Sequence, residues 1–198
     1  MKRLLAAGTT LFLILATGAH AQTAQQYRYD VHGRLAQTES TSGLTTTYGL
    51  DAANNRTSRN VTNTFAASWQ VADLPHVIGF PEGGGWAANV HEPAGYINLG
   101  PYTPGVPIGP RQALWRMMID AHDTTNTQLV ARIYVYDLTA GQVLAQRDLT
   151  RQDWTANWTY KVFELPFAMD AWRAGHLIEF KTYFFATAHI RADLVGYR

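Results

Sequence analysis

Four stretches in the second half of the chain, 113–121, 129–138, 160–167 and 176–185, alternate apolar and polar residues at a period of two. Each is rich in β-branched and aromatic residues and is bounded by Gly, Pro, Asn or Asp, the pattern of half-buried antiparallel strands. The turn-rich segment Gly95-Tyr96-Ile97-Asn98-Leu99-Gly100-Pro101-Tyr102 leads into them, and Asp193-Leu194-Val195-Gly196-Tyr197 reads as a last short strand that closes the sheet. Parity assigns the faces. Ala113, Trp115, Met117 and Ile119 share one side, and Leu114, Arg116, Met118 and Asp120 the other. Ala131, Ile133 and Val135 oppose Arg132, Tyr134 and Tyr136. Phe163, Leu165 and Phe167 form a core ladder with Glu164 outside, and Ile178, Phe180 and Phe184 oppose Leu177, Glu179 and Lys181. A slip of one residue would expose Trp115 and bury Arg116, so the register is strongly set. No amphipathic helix of ordinary length fits this half. The expected fold class is all-β, an antiparallel β-sandwich preceded by a short β-hairpin repeat segment.

Upstream, Phe65, Trp69, Val71, Leu74, Val77, Ile78, Phe80 and Trp86 supply further core material, punctuated by Pro75, Pro81 and Gly83-Gly84-Gly85. The glycine triplet reads as a hairpin loop; a phosphate loop would need a following Lys-Ser/Thr and a strand-to-helix setting. Before Phe65 the composition turns polar and rich in Thr, Asn and Gly, which places a domain boundary near Asn63. Within that polar segment Tyr27-Arg28-Tyr29-Asp30-Val31-His32-Gly33-Arg34-Leu35 is echoed by Tyr48-Gly49-Leu50-Asp51-Ala52-Ala53-Asn54-Asn55-Arg56-Thr57. Each unit reads as a strand, a tight turn with Gly33 or Asn54 in the left-handed conformation, and a second strand. Such hairpins bury little by themselves and need neighbours. A disordered polar linker is the alternative for this composition.

These residues resemble the YD repeats of RHS proteins, whose pattern is Tyr-x-Tyr-Asp-x-x-Gly-Arg-Leu or Gly-Asn-Arg-Thr. The resemblance covers about a fifth of the chain. It departs from the pattern at Leu50, where the second tyrosine would stand, and at Asn54, where the glycine would stand. One and a half repeats are too few to close the shell that full-length RHS proteins form, so the segment reads as a leftover or a strand-forming spacer.

Met1-Lys2-Arg3, an apolar run over 4–17 and Ala19-His20-Ala21 have the form of a cleavable export signal with cleavage after Ala21; a membrane anchor is the alternative. The expected organisation is therefore a signal over 1–21, a degenerate repeat segment over 22–63 and a sandwich over 64–198, in a secreted, periplasmic or cell-envelope protein. Loss of Lys2 and Arg3, two cations and no acid, takes the formal charge from +1 to −1. A near-neutral chain without clustered Lys and Arg gives no footing for nucleic acid, and no later segment is apolar for long enough to cross a membrane as a helix. The chain has no cysteine, so packing alone must hold it.

The strand pattern from residue 95 onward, the Phe163-x-Leu165-x-Phe167 ladder and the Gly100-Pro101-Tyr102 turn are similar to the galactose-binding-like jelly rolls attached to many bacterial secreted proteins. That resemblance implies carbohydrate binding without catalysis, often with a structural calcium ion between loops. A sugar site needs an aromatic platform for flat C–H faces and polar groups for hydroxyls. Trp154, Asn157 and Trp158 in the polar loop 150–159, and Tyr102, Arg132 and Tyr134 with Tyr136 on an outward sheet face, are the candidate ligand-binding residues. An aromatic in a sandwich more often packs in core or rim. No catalytic residue is expected: His-x-x-x-His and Gly-x-Ser-x-Gly are absent. Paired carboxylates, Glu92 with Glu164 or Glu179 for example, are the hydrolase alternative, since their separation is set in three dimensions; outward Glu on a solvated strand is the favoured reading. Asp120, Asp123 and Asn126 offer oxygens for calcium but lack the twelve-residue loop spacing, which favours a plain Asx-rich turn. The expected partner is a polysaccharide or cell-surface glycan, with a structural or interaction role in an RHS-type surface or toxin system as the alternative.

Overall fold

The structure, a computed structural model, describes residues 25–40, 44–63 and 65–198, so the export signal expected over 1–21 lies outside the described residues. Among the described residues the chain is all-β, with three short 3-10 turns and no α-helix.

The first four strands, β1 (Gln25–Tyr29), β2 (Leu35–Ser40), β3 (Leu44–Leu50) and β4 (Arg56–Asn63), form an antiparallel meander in that order. The two echoed units close with equivalent turns. Asp30 N–H donates to the Arg34 carbonyl at 2.8 Å, and Asp51 N–H to the Asn55 carbonyl at 3.0 Å. Asp30 Oδ1 accepts the N–H groups of His32 and Arg34, and Asp51 Oδ1 accepts those of Ala53 and Asn55. Gly33 and Asn54 hold the matching left-handed positions, at φ 75° and 69°, which glycine takes freely and asparagine tolerates better than most. Arg34 joins the turns by donating from Nη1 to the Asp51 carbonyl and to Asn54 Oδ1, both at 3.1 Å.

The remaining strands make two facing antiparallel sheets. The first contains β5 (Ala67–Gln70), β6 (Phe80–Glu82), β7 (Gly85–Ala88), β10 (Gly109–Ile119), β13 (Lys161–Met169) and β15 (Ile190–Tyr197), in the order β13-β10-β15-β7-β6 with β5 also paired to β15. The second contains β8 (Gly95–Asn98), β9 (Pro101–Thr103), β11 (Leu129–Asp137), β12 (Gln142–Thr150) and β14 (Ile178–Phe184), in the order β12-β11-β14-β8 with β9 also paired to β14. The apolar sides expected from parity face one another. Trp115 of the first sheet meets Phe180 of the second edge-on with ring centroids 6.1 Å apart, and Trp69, Phe167 and Tyr197 surround Phe180 at 6.1–6.2 Å. These rings, with Met117, Ile119, Ile133, Val135, Phe163 and Phe184, form one cluster. Each large side chain fully buried there contributes about 1.5–3 kcal/mol.

Four details differ from or sharpen the sequence expectation. The strand β12 carries no clear alternation because it lies at a sheet edge: Val143 is 48% exposed and Leu149 alone of its residues is fully buried. The last strand starts at Ile190 and lies between β10 and β7, so it is central and does not close the sheet. The glycine triplet does make a hairpin, joining β6 to β7 with Gly83 and Gly84 at φ 55° and 84°, as a primed turn requires. Finally, Arg116 lies on the outward side of β10 yet is only 4% exposed. A bulge on β15 contributes: Arg116 pairs with Leu194 and Met117 with Ala192, which leaves Asp193 extra. Ala192 and Val195 belong to the main core, so two successive residues, Asp193 and Leu194, turn outward. Leu194 packs with Phe65 and Leu114, while the Asp193 carboxylate accepts a hydrogen bond from Arg116 Nη1.

Candidate functional site

The outer face of the second sheet gathers tyrosines from three adjacent strands. Register places Arg132 of β11 between Asp148 of β12 and Tyr183 of β14, with Tyr183 opposite Tyr96 of β8; one step along, Tyr134 lies between Gln146 and Lys181. Tyr96, Tyr134, Tyr136 and Tyr183 are all half-buried. Tyr96 meets Tyr183 edge-on at 5.1 Å and tilts toward Tyr134 at 6.4 Å. The Lys181 ammonium stands over the Tyr136 ring at 3.8 Å and 2.8 Å from Glu179 Oε2, so the buried carboxylate of Glu179 has its counter-charge beside it. Arg132 forms a two-point ion pair with Asp148, Nη2 to Oδ2 at 2.8 Å, and that bond holds the Asp148 carboxyl below its usual range. Partial burial, with Tyr134 and Tyr183 alongside, raises the Tyr96 phenol above its ordinary value. The arrangement is chemically a patch of flat apolar rings interleaved with one ammonium, one guanidinium and one carboxylate.

The six expected ligand-binding residues do not converge. Arg132 and Tyr134 lie together on this face. Tyr102, on β9 at φ 60°, lays its ring against Gly100, where a Cβ would sit 3.3 Å from Tyr102 Cε2. Trp154 departs from the expectation that a loop aromatic is free for ligand: it is 1% exposed, donates from Nε1 to the Met117 carbonyl at 3.3 Å and packs edge-on against Phe163 at 4.8 Å. The loop turns it inward because Asp153 Oδ2 accepts the N–H of Thr150 while Oδ1 accepts Arg147 Nη2, fixing the single 3-10 turn just before it. Asn157 uses its Oδ1 to accept the His122 N–H at 2.8 Å. Trp158 is 55% exposed and belongs to the first sheet's side, edge-on to His189 at 5.1 Å with its N–H bonded to the Ile119 carbonyl.

Tyr96, Tyr183 and Lys181 are the residues that the reading of candidate sites passed over. Their signal was present in parity, since Lys181 was already assigned outward and Tyr183 shares its parity. What parity lacks is the lateral order that places β14 beside β11 and β8 beyond it.

The other candidates resolve into structural roles. Asp120 accepts from Arg151 Nη1 at 2.7 Å, Asp123 Oδ1 accepts from the Thr125 N–H and hydroxyl, and Asn126 Oδ1 from the Gln128 N–H. The Asp123 and Asn126 contacts are Asx turns and the Asp120 contact an ion pair; among the described residues no group of three His, Asp or Glu is placed to hold a metal ion. Of the carboxylates named for a hydrolase pairing, Glu92 lies in the turn before β8, Glu164 pairs with Arg198 at 2.8 Å on the outside of the first sheet, and Glu179 is buried in the second sheet. A separate buried cluster closes one end of β11, where Asp137 accepts from Arg173, from His176 Nδ1 at 2.8 Å and from the Ala140 N–H.

No curated protein matches the chain. The RHS Repeat family model matches residues 29–65, the span holding both Asp-centred turns and β2, β3 and β4, so this part of the chain is similar to a repeat typical of surface and secreted proteins.

Proposed function

We propose that the chain is a non-catalytic glycan-binding module of a secreted or envelope-associated protein, with the tyrosine-rich outer face of the second sheet as its sugar platform. One observation carries this reading: Tyr96, Tyr134, Tyr136 and Tyr183 stand half-buried side by side on three neighbouring strands, with Lys181 and Arg132 among them and Asp148 at the β12 edge. Aromatic rings give contact area at low entropic cost, and an ammonium, a guanidinium and a carboxylate supply both donors and acceptors for hydroxyls. The galactose-binding-like resemblance of the sandwich agrees with this use. The test is affinity electrophoresis through a panel of polysaccharides together with a glycan array. Retardation on at least one polymer that is lost in Tyr96→Ala and Tyr134→Ala is expected. Migration that no polymer slows, or retardation that both variants keep, would overturn the proposal.

The meander supports a second reading, an interaction component of an RHS-type surface or toxin system. Its match to the RHS repeat and the exposure of Tyr29 (62%) and Val31 on its surface are the motivating observations. A partner whose capture requires residues 22–63, with no polysaccharide bound, would favour it over sugar binding.

A further inference from the structure

On the opposite side of the molecule, the meander and the first sheet enclose a groove of about 300 Å³, within the size range of small-ligand sites. The meander contributes Arg28 and Glu39, and the sandwich contributes Arg116, Trp158, Tyr160 and Arg191. Three guanidinium groups line the groove with one carboxylate, and Glu82 stands 3.6 Å from Arg191 Nη1 as its counter-charge. Asp193 lies behind, buried and committed to Arg116. Arg28 has no ion pair among the described residues. The Arg116 side chain is 5% exposed, and its Nε stands 4.0 Å from Glu39 Oε1, beyond hydrogen-bond distance, so that donor is unspent. Arg191 donates from Nε to the Tyr160 hydroxyl at 2.7 Å, and both guanidinium groups lie over the Tyr160 ring, at 4.1 and 5.3 Å. At the rim, Trp158 is held open: its backbone is fixed at φ 49° by the bond to the Ile119 carbonyl, and its ring edge rests on His189, itself bonded to Glu82 at 2.9 Å.

A buried guanidinium with a free N–H, an Arg28 without an ion pair and an exposed indole at one rim ask for a ligand with three properties: a carboxylate, a flat apolar face and a size of one ring. We propose that this groove binds a hexuronic acid, its carboxylate at Arg28 and Arg116 and its C–H face on Trp158. The repeat segment is then one wall of a site rather than a spacer. This proposal does not depend on the tyrosine face, which lies on the other sheet.

The test titrates the full chain with D-galacturonate and D-glucuronate, following the Trp158 indole and Arg28 amide by nuclear magnetic resonance. Galactose, glucose and acetate serve as controls, and a short oligogalacturonide separates free acid from polymer-borne acid. Saturable uronate binding is expected, weakening between about 50 and about 300 mM salt, with neutral hexoses and acetate about tenfold weaker or more. Arg28→Glu and Trp158→Ala, both exposed positions, should each weaken it about tenfold, and Tyr134→Ala should leave it unchanged. Binding of the oligomer alone, lost in Arg28→Glu, supports the same groove with the polymer as source. Absence of saturable binding of either form, acetate binding as tightly as uronate, or indifference to Arg28→Glu would overturn it.

Discussion

Removing the carboxylate of Asp193 strips a buried guanidinium of its counter-charge. The side chains of Arg116 and Asp193 are each 5% exposed, so water reaches the guanidinium only from the groove side and replaces the lost partner poorly. Breaking such a pair from one side costs about 3–5 kcal/mol, because the remaining charge stays desolvated. Two features pull the expected cost of Asp193→Ala toward the lower end. Glu39 is only 4.0 Å from Arg116 Nε and can close on it, and the Tyr160 ring 4.1 Å from the guanidinium contributes about 0.5–2 kcal/mol that survives the substitution. The net expectation is a loss of about 3 kcal/mol, which lowers the midpoint of thermal unfolding by roughly 6–12 °C in a chain of this size. Adding Glu39→Gln should deepen the loss, since the substitute partner is then gone. Replacing both buried charges, Arg116→Met with Asp193→Leu, should return stability to within about 1 kcal/mol of the parent or above it, because no uncompensated charge remains. Urea unfolding followed by near-ultraviolet circular dichroism measures all four proteins, with an unchanged slope confirming comparable folded states. An Asp193→Ala protein within about 0.5 kcal/mol of the parent, or an Arg116→Met/Asp193→Leu protein as weak as Asp193→Ala, would refute the argument from charge burial.

The two loop tryptophans should separate cleanly. Trp154→Ala is expected to cost about 3–5 kcal/mol, because a fully buried ring leaves a cavity, and Trp158→Ala about 0.5 kcal/mol or less; denaturant midpoints compare them. Stability should fall as pH drops below 3.8, because Asp120, Asp137 and Asp148 are held below that value in the folded chain and their contribution, complete above it, is lost as pH falls through the lowered values. Burial outweighs Arg116 and pushes the Asp193 carboxyl up, so its contribution has the opposite sign and fades as pH rises above 3.8; urea titrations from about pH 2.5 to 5, with Asp137→Asn flattening the acid limb, check both. In the meander, Gly33→Val forces a β-branched residue to φ 75° and should cost the first turn about 1–2 kcal/mol. Faster amide exchange at His32 and Arg34, whose N–H groups bond Asp30, is the readout.

Much of the fold was legible residue by residue. Trp115, Ile133, Phe163 and Phe180 had to share an interior because strand geometry alternates sides strictly, and a run such as Phe163-x-Leu165-x-Phe167 admits one burial pattern. The paired turns were equally legible, because Gly33 and Asn54 stand where a left-handed residue is needed and each follows an aspartate able to cap the turn. Edge and centre were not. Gln142–Thr150 has weak alternation because an edge strand is poorly covered, and Ile190–Tyr197 lacks it because a central strand with a bulge is buried on both sides.

The sequence by itself determined an all-β sandwich with a polar, tyrosine-turned repeat ahead of it, because side-chain parity and turn chemistry are local properties. Tertiary structure decided which outward residues meet. It sent Trp154 inward and Trp158 outward from one loop, set Tyr96 and Tyr183 beside Tyr134, and brought Arg28 and Glu39 to Arg116 across the chain. Lateral strand order and the docking of one sheet on another are long-range choices, fixed by the packing of whole faces, and no window of the chain contains them.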